Sequence, residues 1–192
     1  MPEQYSYDWF IQQFENTKDS AEQFVTSIDE TLFLQPPAEG RWSIAECYNH
    51  LINYGDLYFD NITGAITESS HTIQAGTITF PPRWLAQKVI SFFEPPYRIK
   101  LKTIKPMKPV DTSEYNRTEL LNEYLHLQDQ LIVQLKKART KQLDLRRKKV
   151  PHPIFPLLSM TLSECFLLLE AHQRRHQWQA EQTLKVLENN ST

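Results

Sequence analysis

The chain has 192 residues, of which 40% are hydrophobic and 23% are charged, and its formal net charge is -2 at pH 7. These values suit one soluble domain and argue against a strongly basic nucleic-acid-binding protein or an acidic disordered chain. Only four glycines are present, and no glycine-rich phosphate motif occurs, which argues against hairpin-rich β structure and a nucleotide-binding loop.

Two amphipathic segments are predicted in the first third of the chain. Apolar residues at helical spacing predict a helix over about 5–34, and two consecutive prolines follow it. A second helix is predicted over about 44–66. Ser43 is a suitable N-cap, Glu46 completes a capping box three residues later, and Trp42 stands where an apolar residue can pack on the first turn.

Residues 67–112 form a long irregular insertion in this prediction. Short extended character is expected at its start, and the sequence RWLAQKVISFF is consistent with a short helix. The following proline-rich stretch cannot form a long helix. Because connections of this length in a compact domain are usually functional or span the fold, we expect a crossover or a functional loop here.

Two further helices complete the predicted fold, over about 113–140 and about 161–188. Thr161 and Glu164 make a second capping box at the start of the last helix. Four amphipathic helices bury their apolar faces most simply as an all-α four-helix bundle, with a long crossover connection between helices two and three. We expect residues 1–192 to form this single domain.

Two histidines lie one turn apart in the last predicted helix. His172 and His176 are about 40° apart on one face, which is how two imidazoles share one ion at about 2.1 Å. The alternative is an exposed polar pair beside Arg174 and Arg175. Metal sites in proteins usually use at least three ligands, so a third group is required, and His50 in the second helix is the candidate.

The position of His50 favours an inward orientation, because Cys47 and Tyr54 lie on the same helical face. A core histidine held by an ordinary hydrogen bond is the alternative for this residue alone. Since both helices must face one core, an open site formed by His50, His172 and His176 is the better interpretation of the three together.

The sequence resembles the DinB/YfiT-like superfamily in two stretches. These are RWSIAECYNHL, which holds the first histidine, and PHPIFPLLSMTLSECFLLLEAHQRRHQWQAEQ, which holds a His-Pro loop, a capped helix and the H-x3-H pair. The resemblance implies an up-down-down-up bundle, and a divalent metal (zinc, nickel, iron or manganese) bound by His50, His172 and His176. Many members have a glycine where this chain has Phe155-Pro156, so that loop is expected to differ.

The resemblance also implies a function, since family members include thiol-dependent S-transferases, a maleylpyruvate isomerase and metal-dependent hydrolases. We expect a metal-dependent hydrolase or low-molecular-weight thiol S-transferase that acts on a small molecule. The alternative is a non-catalytic metal-binding or stress-response bundle acting as an interaction protein. Related four-helix-bundle proteins often form dimers, so a homodimer is also expected.

Three glutamates accompany the histidines and have competing interpretations. Glu46, Glu164 and Glu170 could each support a ligand or act as a base. For Glu46 and Glu164 the capping role is favoured, because each completes a capping box. No Ser-His-Asp or activated cysteine motif is present, and a buried apolar role is favoured for Cys47.

The basic segment 136–149 also has two interpretations. It reads either as a phosphate or nucleic-acid patch or as a helix end followed by a solvated loop, and the second is favoured because acidic residues elsewhere balance it. We expect no nucleic-acid partner. The separated cysteines, the absence of a signal-like start and the lack of a run of about 18 apolar residues predict a cytoplasmic protein without a membrane span.

Overall fold

The computed structural model describes residues 3–74, 79–95, 108–109, 115–153 and 159–190. Parts of the predicted insertion 67–112, the predicted helix start at Ser113 and the loop residues Phe155-Pro156 lie outside these ranges. The helices are α1 (Tyr7–Thr26), α2 (Glu30–Leu34), α3 (Ile44–Glu68), α4 (Trp84–Phe92), α5 (Arg117–Thr140) and α6 (Leu162–Asn190), and the strands are β1 (Lys149–Pro151) and β2 (Ser159–Thr161).

The first predicted helix, 5–34, is two helices in the structure. α1 ends at Thr26, where the backbone N–H and the hydroxyl of Ser27 both donate to the carbonyl of Phe24. Asp29 then caps α2 by accepting the backbone N–H of Thr31 at 2.8 Å. Serine and aspartate offer the backbone local hydrogen bonds that compete with a continuous helix, so the chain turns here.

The other long helices begin at polar caps. Ser43 and Glu46 form the predicted capping box of α3. Thr161 and Glu164 do the same for α6, with the Thr161 N–H donating to the glutamate at 2.9 Å. Asn116 caps α5 through the Glu119 N–H.

Contacts between helices establish the direction of each one. α1 and α5 are antiparallel, because Lys18 pairs with Asp129 near the middle of α5 and Asp8 pairs with Arg139 near its end. α3 and α5 are parallel. Their N-terminal halves meet at Tyr48 and Tyr124, and the ammonium just past the end of α5, that of Lys141, donates to the last-turn carbonyls of α3.

α6 completes the bundle by running antiparallel to α3. Tyr48 bonds Gln177, while Tyr54, six residues further along α3, stacks on the earlier His172. The most extensive packing joins α1 and α3 each to α5 and α6, so α1 and α3 lie at opposite corners. The topology is therefore up-down-down-up, as expected.

The parallel arrangement of α3 and α5 explains the long connection between them. A chain leaving the end of α3 must return along the bundle before α5 can begin in the same direction. The short helix predicted in RWLAQKVISFF is confirmed as α4, which packs on α6 within this connection. Gly55 on α3 allows close approach to α5, since a Cβ there would lie 2.4 Å from a Leu127 methyl carbon.

The β1–β2 pair was not predicted, whereas the bridge at Thr72 lies at the start of the insertion, where short extended character was expected. β1 and β2 form an antiparallel pair with Val150 opposite Met160, and Thr72 forms an isolated bridge with Leu143.

Within the described residues, no helix combines the length and apolar character that crossing a bilayer requires.

Most of the basic side chains in segment 136–149 form ion pairs or hydrogen bonds within the molecule. Lys141 caps the end of α3, Arg146 pairs with Asp144, and Lys148 pairs with Glu68. Hydrogen bonds from the guanidinium and from the backbone N–H of Arg146 hold the pKa of Asp144 below its usual range, although burial opposes them. The segment begins as a helix end, as favoured, but it does not continue as a solvated loop, because Leu143, Asp144 and Leu145 are buried.

Candidate metal centre

Three histidine rings from two helices meet inside the bundle. His50 comes from the second turn of α3, and His172 and His176 come from successive turns of α6. The Nε2 atoms of His50 and His172 are 3.0 Å apart, and one nitrogen from each ring lies within 4.8 Å of the others. The ring centroids are 4.6–5.1 Å apart. The structure thus brings together all three sequence-predicted residues.

All three rings are buried, with 3% of His50 and 6% each of His172 and His176 exposed. Burial lowers the pKa of His172 and His176 well below the usual value, and the neighbouring histidines and Arg175 lower it further. A hydrogen bond with Gln179 partly opposes this for His176. Both rings are therefore neutral at pH 7, as a metal ligand must be.

Stacked aromatic rings hold the histidines in place. The Tyr54 ring lies 4.0 Å from that of His172 at an interplanar angle of 20°. Trp42 stacks on His176 at 5.7 Å and contacts His50 at 4.9 Å. Trp42 was expected only to pack at the start of α3. Its contact with α6 could not be read from local spacing.

These stacked rings matter because the Nδ1 atoms of two histidines lack the hydrogen bond that usually orients a metal ligand. Metal-binding histidines generally donate their second ring nitrogen to a carboxylate or carbonyl. The Nδ1 atoms of His172 and His176 are buried and have no hydrogen-bond partner among the described residues. Aromatic packing therefore contributes to the orientation of both rings, together with the Gln179 hydrogen bond on His176.

The residues present fit a metal ion. Two ligands about 2.1 Å from one ion lie about 3.0 Å apart when the angle at the ion is near 90°, and this is the distance between the two Nε2 atoms. Neutral imidazole suits zinc, nickel, iron and copper. The three nitrogens would also leave further coordination positions open.

α4 is joined to α6 by ion pairs at both ends, which place its C-cap residue beside the centre. Ahead of α4, Arg83 makes a two-pronged pair with Glu164, at 2.8 Å from Nε and 2.7 Å from Nη2. Beyond α4, Glu94 binds Arg174, which also binds Glu170. These pairs hold the C-cap residue Phe93 5.3 Å from the His172 ring.

The three glutamates are all engaged in other contacts. Glu46 and Glu164 occupy their capping boxes, as favoured from the sequence. Arg83 and two backbone N–H groups hold the pKa of Glu164 below its usual range, against the effect of burial. Burial raises the pKa of Glu170, whereas its bonds to Arg174 oppose this.

The cysteine on α3 and the remaining histidines do not join the three-histidine cluster. Cys47 is buried in an apolar cluster on α3, and burial raises its pKa, so it stays a thiol at pH 7. His71 and His126 are exposed, and the half-buried His152 meets the Tyr58 ring edge-on at 5.5 Å. Of the aromatic side chains on and next to α4, Phe93 contacts the His172 ring and Trp84 is exposed.

The fold and centre define a class of protein, the up-down-down-up four-helix bundle with an internal three-histidine cluster. The sequence profile of the DinB superfamily matches residues 13–180, so the chain belongs to the DinB superfamily. The structure is similar to that of YfiT from Bacillus subtilis, described as a probable metal-dependent hydrolase with an unusual four-helix bundle topology. The TM-score is 0.62 at 16% identity, covering 98% of this chain and 91% of YfiT. No curated protein matches the sequence.

Proposed function

We propose that this protein is a divalent-metal-dependent enzyme whose metal ligands are His50, His172 and His176. The observation that carries the proposal is the convergence of three buried, closely spaced imidazoles from α3 and α6. The description of YfiT as a probable metal-dependent hydrolase supports the same class.

The residues of the chain have distinct parts in this proposal. The histidines supply three neutral ligands, and Tyr54 and Trp42 fix the ring planes of His172 and His176. A divalent ion in such an open site supplies a bound water with a pKa near about 7, or stabilises a thiolate. We assign no proton-transfer role to Glu46, Glu164 or Glu170, because each is held by other groups.

The proposed reaction is hydrolysis of a small molecule or transfer of a low-molecular-weight thiol to an electrophile. Both require the same open metal positions and a buried site, so the present geometry supports them equally. A homodimer remains a prediction from the family resemblance, and light scattering of the purified protein tests it.

The first test is elemental analysis of protein purified without chelators. About one equivalent of a divalent transition metal is expected in the wild-type protein. The variant His172→Ala should lose it while keeping wild-type helicity by circular dichroism. His126→Ala, which removes an exposed histidine from α5, is the matched control and should keep the metal. A wild-type protein that binds no transition metal would refute the proposal.

The second test separates an enzyme from a silent metal-binding bundle. Metal-loaded protein is assayed with activated esters and, separately, with cysteine plus a chlorinated aromatic electrophile. Turnover that disappears in His172→Ala and persists in His126→Ala supports catalysis. Full metal occupancy with no turnover of either class supports the non-catalytic alternative.

A further inference from the structure

A polar pocket lies at the end of the bundle where α3 finishes, away from the histidine cluster. Its volume is about 360 Å³, which is at the lower end of the range for small-molecule sites. The part of α3 from His50 to its last residue, Glu68, is about 27 Å long, so the two regions are well separated. The residues that line the pocket are Ser70, His71, Thr72, Ile73, Gln74 and Arg147.

Backbone hydrogen bonds fix the walls of this pocket. The chain that follows α3 is joined to the turn that follows α5 by two of them. The Ile73 N–H donates to the Gln142 carbonyl at 2.7 Å, and the Asp144 N–H donates to the His71 carbonyl at 2.8 Å. The isolated bridge between the same two segments lies between these bonds. The polar side chains are therefore carried on a backbone that is positioned before a ligand binds, which lowers the entropic cost of binding.

The side chains in the pocket offer hydrogen-bond donors that the rest of the protein does not use. The Ser70 hydroxyl, the His71 imidazole and the Gln74 amide form no hydrogen bond with the residues that the structure describes. A hydroxyl, a neutral imidazole and a primary amide each carry at least one donor hydrogen, and a guanidinium carries five. The pocket is thus suited to a ligand with several acceptor oxygens.

Arg147 gives the pocket a positive charge that the nearby acid compensates only in part. Its Nε lies 3.9 Å from Oδ2 of Asp144, and its side chain is 59% exposed. The same carboxylate accepts two shorter hydrogen bonds from the Arg146 guanidinium, at 2.9 and 2.8 Å. Lys141 binds the last-turn carbonyls of α3, so the negative end of that helix is also neutralised. The local field therefore favours an anion.

We propose that this pocket binds the phosphate group of a small phosphate monoester, at a second site separate from the histidine cluster. Such a group carries a charge of about -1.5 to -2 at pH 7 and three acceptor oxygens. The Arg147 guanidinium would bind two of these oxygens, and Ser70 and His71 would donate to the phosphate as well. A carboxylate has two oxygens and a single charge, so it would leave more of the donors unused. The inference does not depend on a bound metal.

Isothermal titration calorimetry with glycerol 3-phosphate tests this inference on the protein as purified. At low salt, where charges are least screened, the dissociation constant should be about 1 mM or lower. Arg147→Gln removes the charge and the paired hydrogen bonds, so it should raise this constant at least about tenfold. Ser70→Ala removes one donor without changing the charge and should raise it about threefold. Both residues are exposed, so both variants should fold, which circular dichroism checks.

Two control variants locate the binding. Lys149→Gln removes an exposed positive charge from β1, outside the pocket, and should keep the wild-type affinity. His172→Ala alters the histidine cluster and should also keep it. Glycerol, which lacks the phosphate, should not bind, and lactate, which carries a carboxylate, should bind at least about tenfold more weakly.

Several outcomes would overturn the inference. Equal losses in Arg147→Gln and Lys149→Gln would indicate general attraction to a basic surface. Loss of binding in His172→Ala would assign the phosphate to the histidine cluster instead. Lactate or glycerol binding as tightly as glycerol 3-phosphate, or no binding up to about 10 mM, would show that the pocket does not select phosphate. Each of these results concerns this pocket and leaves the metal-content test of the proposed function unaffected.

Discussion

At the scale of single residues, the centre depends on side chains that are not ligands. The ring of His172 stacks on Tyr54 and its Nδ1 has no hydrogen-bond partner among the described residues. Ring packing thus replaces the carboxylate that commonly orients a metal-binding histidine. The cost of leaving that nitrogen buried without a partner is about 1–3 kcal/mol, which the surrounding fold must offset.

Replacing Tyr54 by leucine should therefore weaken metal binding without removing a ligand. We expect the dissociation constant for cobalt to rise by about 10–100-fold, as when other orienting partners are lost. Tyr54→Phe keeps the stacked ring and loses only the 3.4 Å contact with the Tyr58 hydroxyl, so its affinity should change little. Competition with a coloured chelator measures both. Equal weakening in the two variants would show that the hydroxyl, not the ring, matters.

The buried histidines should also make the metal-free protein sensitive to acid. The pKa of His172 and His176 in the folded state is well below that of a histidine in the unfolded chain, mainly because of burial. Below about pH 6.5 the unfolded chain binds protons that the folded protein rejects, so the free energy of unfolding falls as the pH is lowered. For two such groups the slope approaches about 2.7 kcal/mol per pH unit.

Urea unfolding of chelator-treated protein between about pH 7 and about pH 5 measures this slope. The double variant His172→Gln, His176→Gln provides the control, because glutamine does not titrate. Its slope should be shallower by the contribution of the two rings. Identical slopes in the two proteins would contradict neutral, buried imidazoles.

At the scale of elements, side-chain and backbone hydrogen bonds determine where α4 begins and where α5 ends. Glu164 is fully buried, and it both caps α6 and accepts hydrogen bonds from the Arg83 guanidinium, so one carboxylate joins two helices.

The end of α5 is formed by backbone hydrogen bonds alone. Gln142 adopts a left-handed conformation with φ of 51°, and the Leu143 N–H reaches back to the Ala138 carbonyl.

This arrangement is a Schellman motif whose left-handed position normally holds glycine. Because Gln142 is exposed, Gln142→Gly should remove backbone strain with no loss of packing. We expect the free energy of unfolding to rise by about 0.5–1 kcal/mol, measured by urea titration. Gln130→Gly, inside the same helix, should instead lower it by about 1 kcal/mol. A decrease in both variants would show that the Gln142 side chain contributes contacts.

At the scale of the whole molecule, the histidine cluster lies where two apolar clusters meet. Tyr48 belongs to the cluster at the α2 end of the bundle and Tyr54 to the other, and His50 lies between them on α3. A metal ion bound by the three histidines would therefore link α3 to α6 near the middle of their contact. A ligand that binds only the folded state stabilises it by mass action.

Metal loading should consequently raise the melting temperature. At a free metal concentration about 100 times the dissociation constant the gain is about 2.7 kcal/mol, which corresponds to about 5–11 °C for a chain of this size. Calorimetry of chelator-treated and zinc-reconstituted protein measures the shift, and His172→Ala should show none. The same melting temperature with and without zinc would argue against the three-histidine site.

The sequence by itself determined the features that depend on near neighbours. Helix periodicity, the two capping boxes and the four-residue spacing of His172 and His176 are local, and the structure contains each of them. The inward orientation of His50 followed from the apolar face around it. The break after Thr26 was missed because it results from competing polar groups that interrupt a continuous apolar pattern.

Only the tertiary structure decided which distant side chains complete the centre. Trp42 contacts His176, Tyr54 contacts His172, and Arg83 reaches Glu164 across 81 residues. No local pattern encodes these pairs, because they arise when α3, α4 and α6 dock and exclude water. The helices could be read from their own periodicity, whereas the shape and charge of the centre depend on how they pack together.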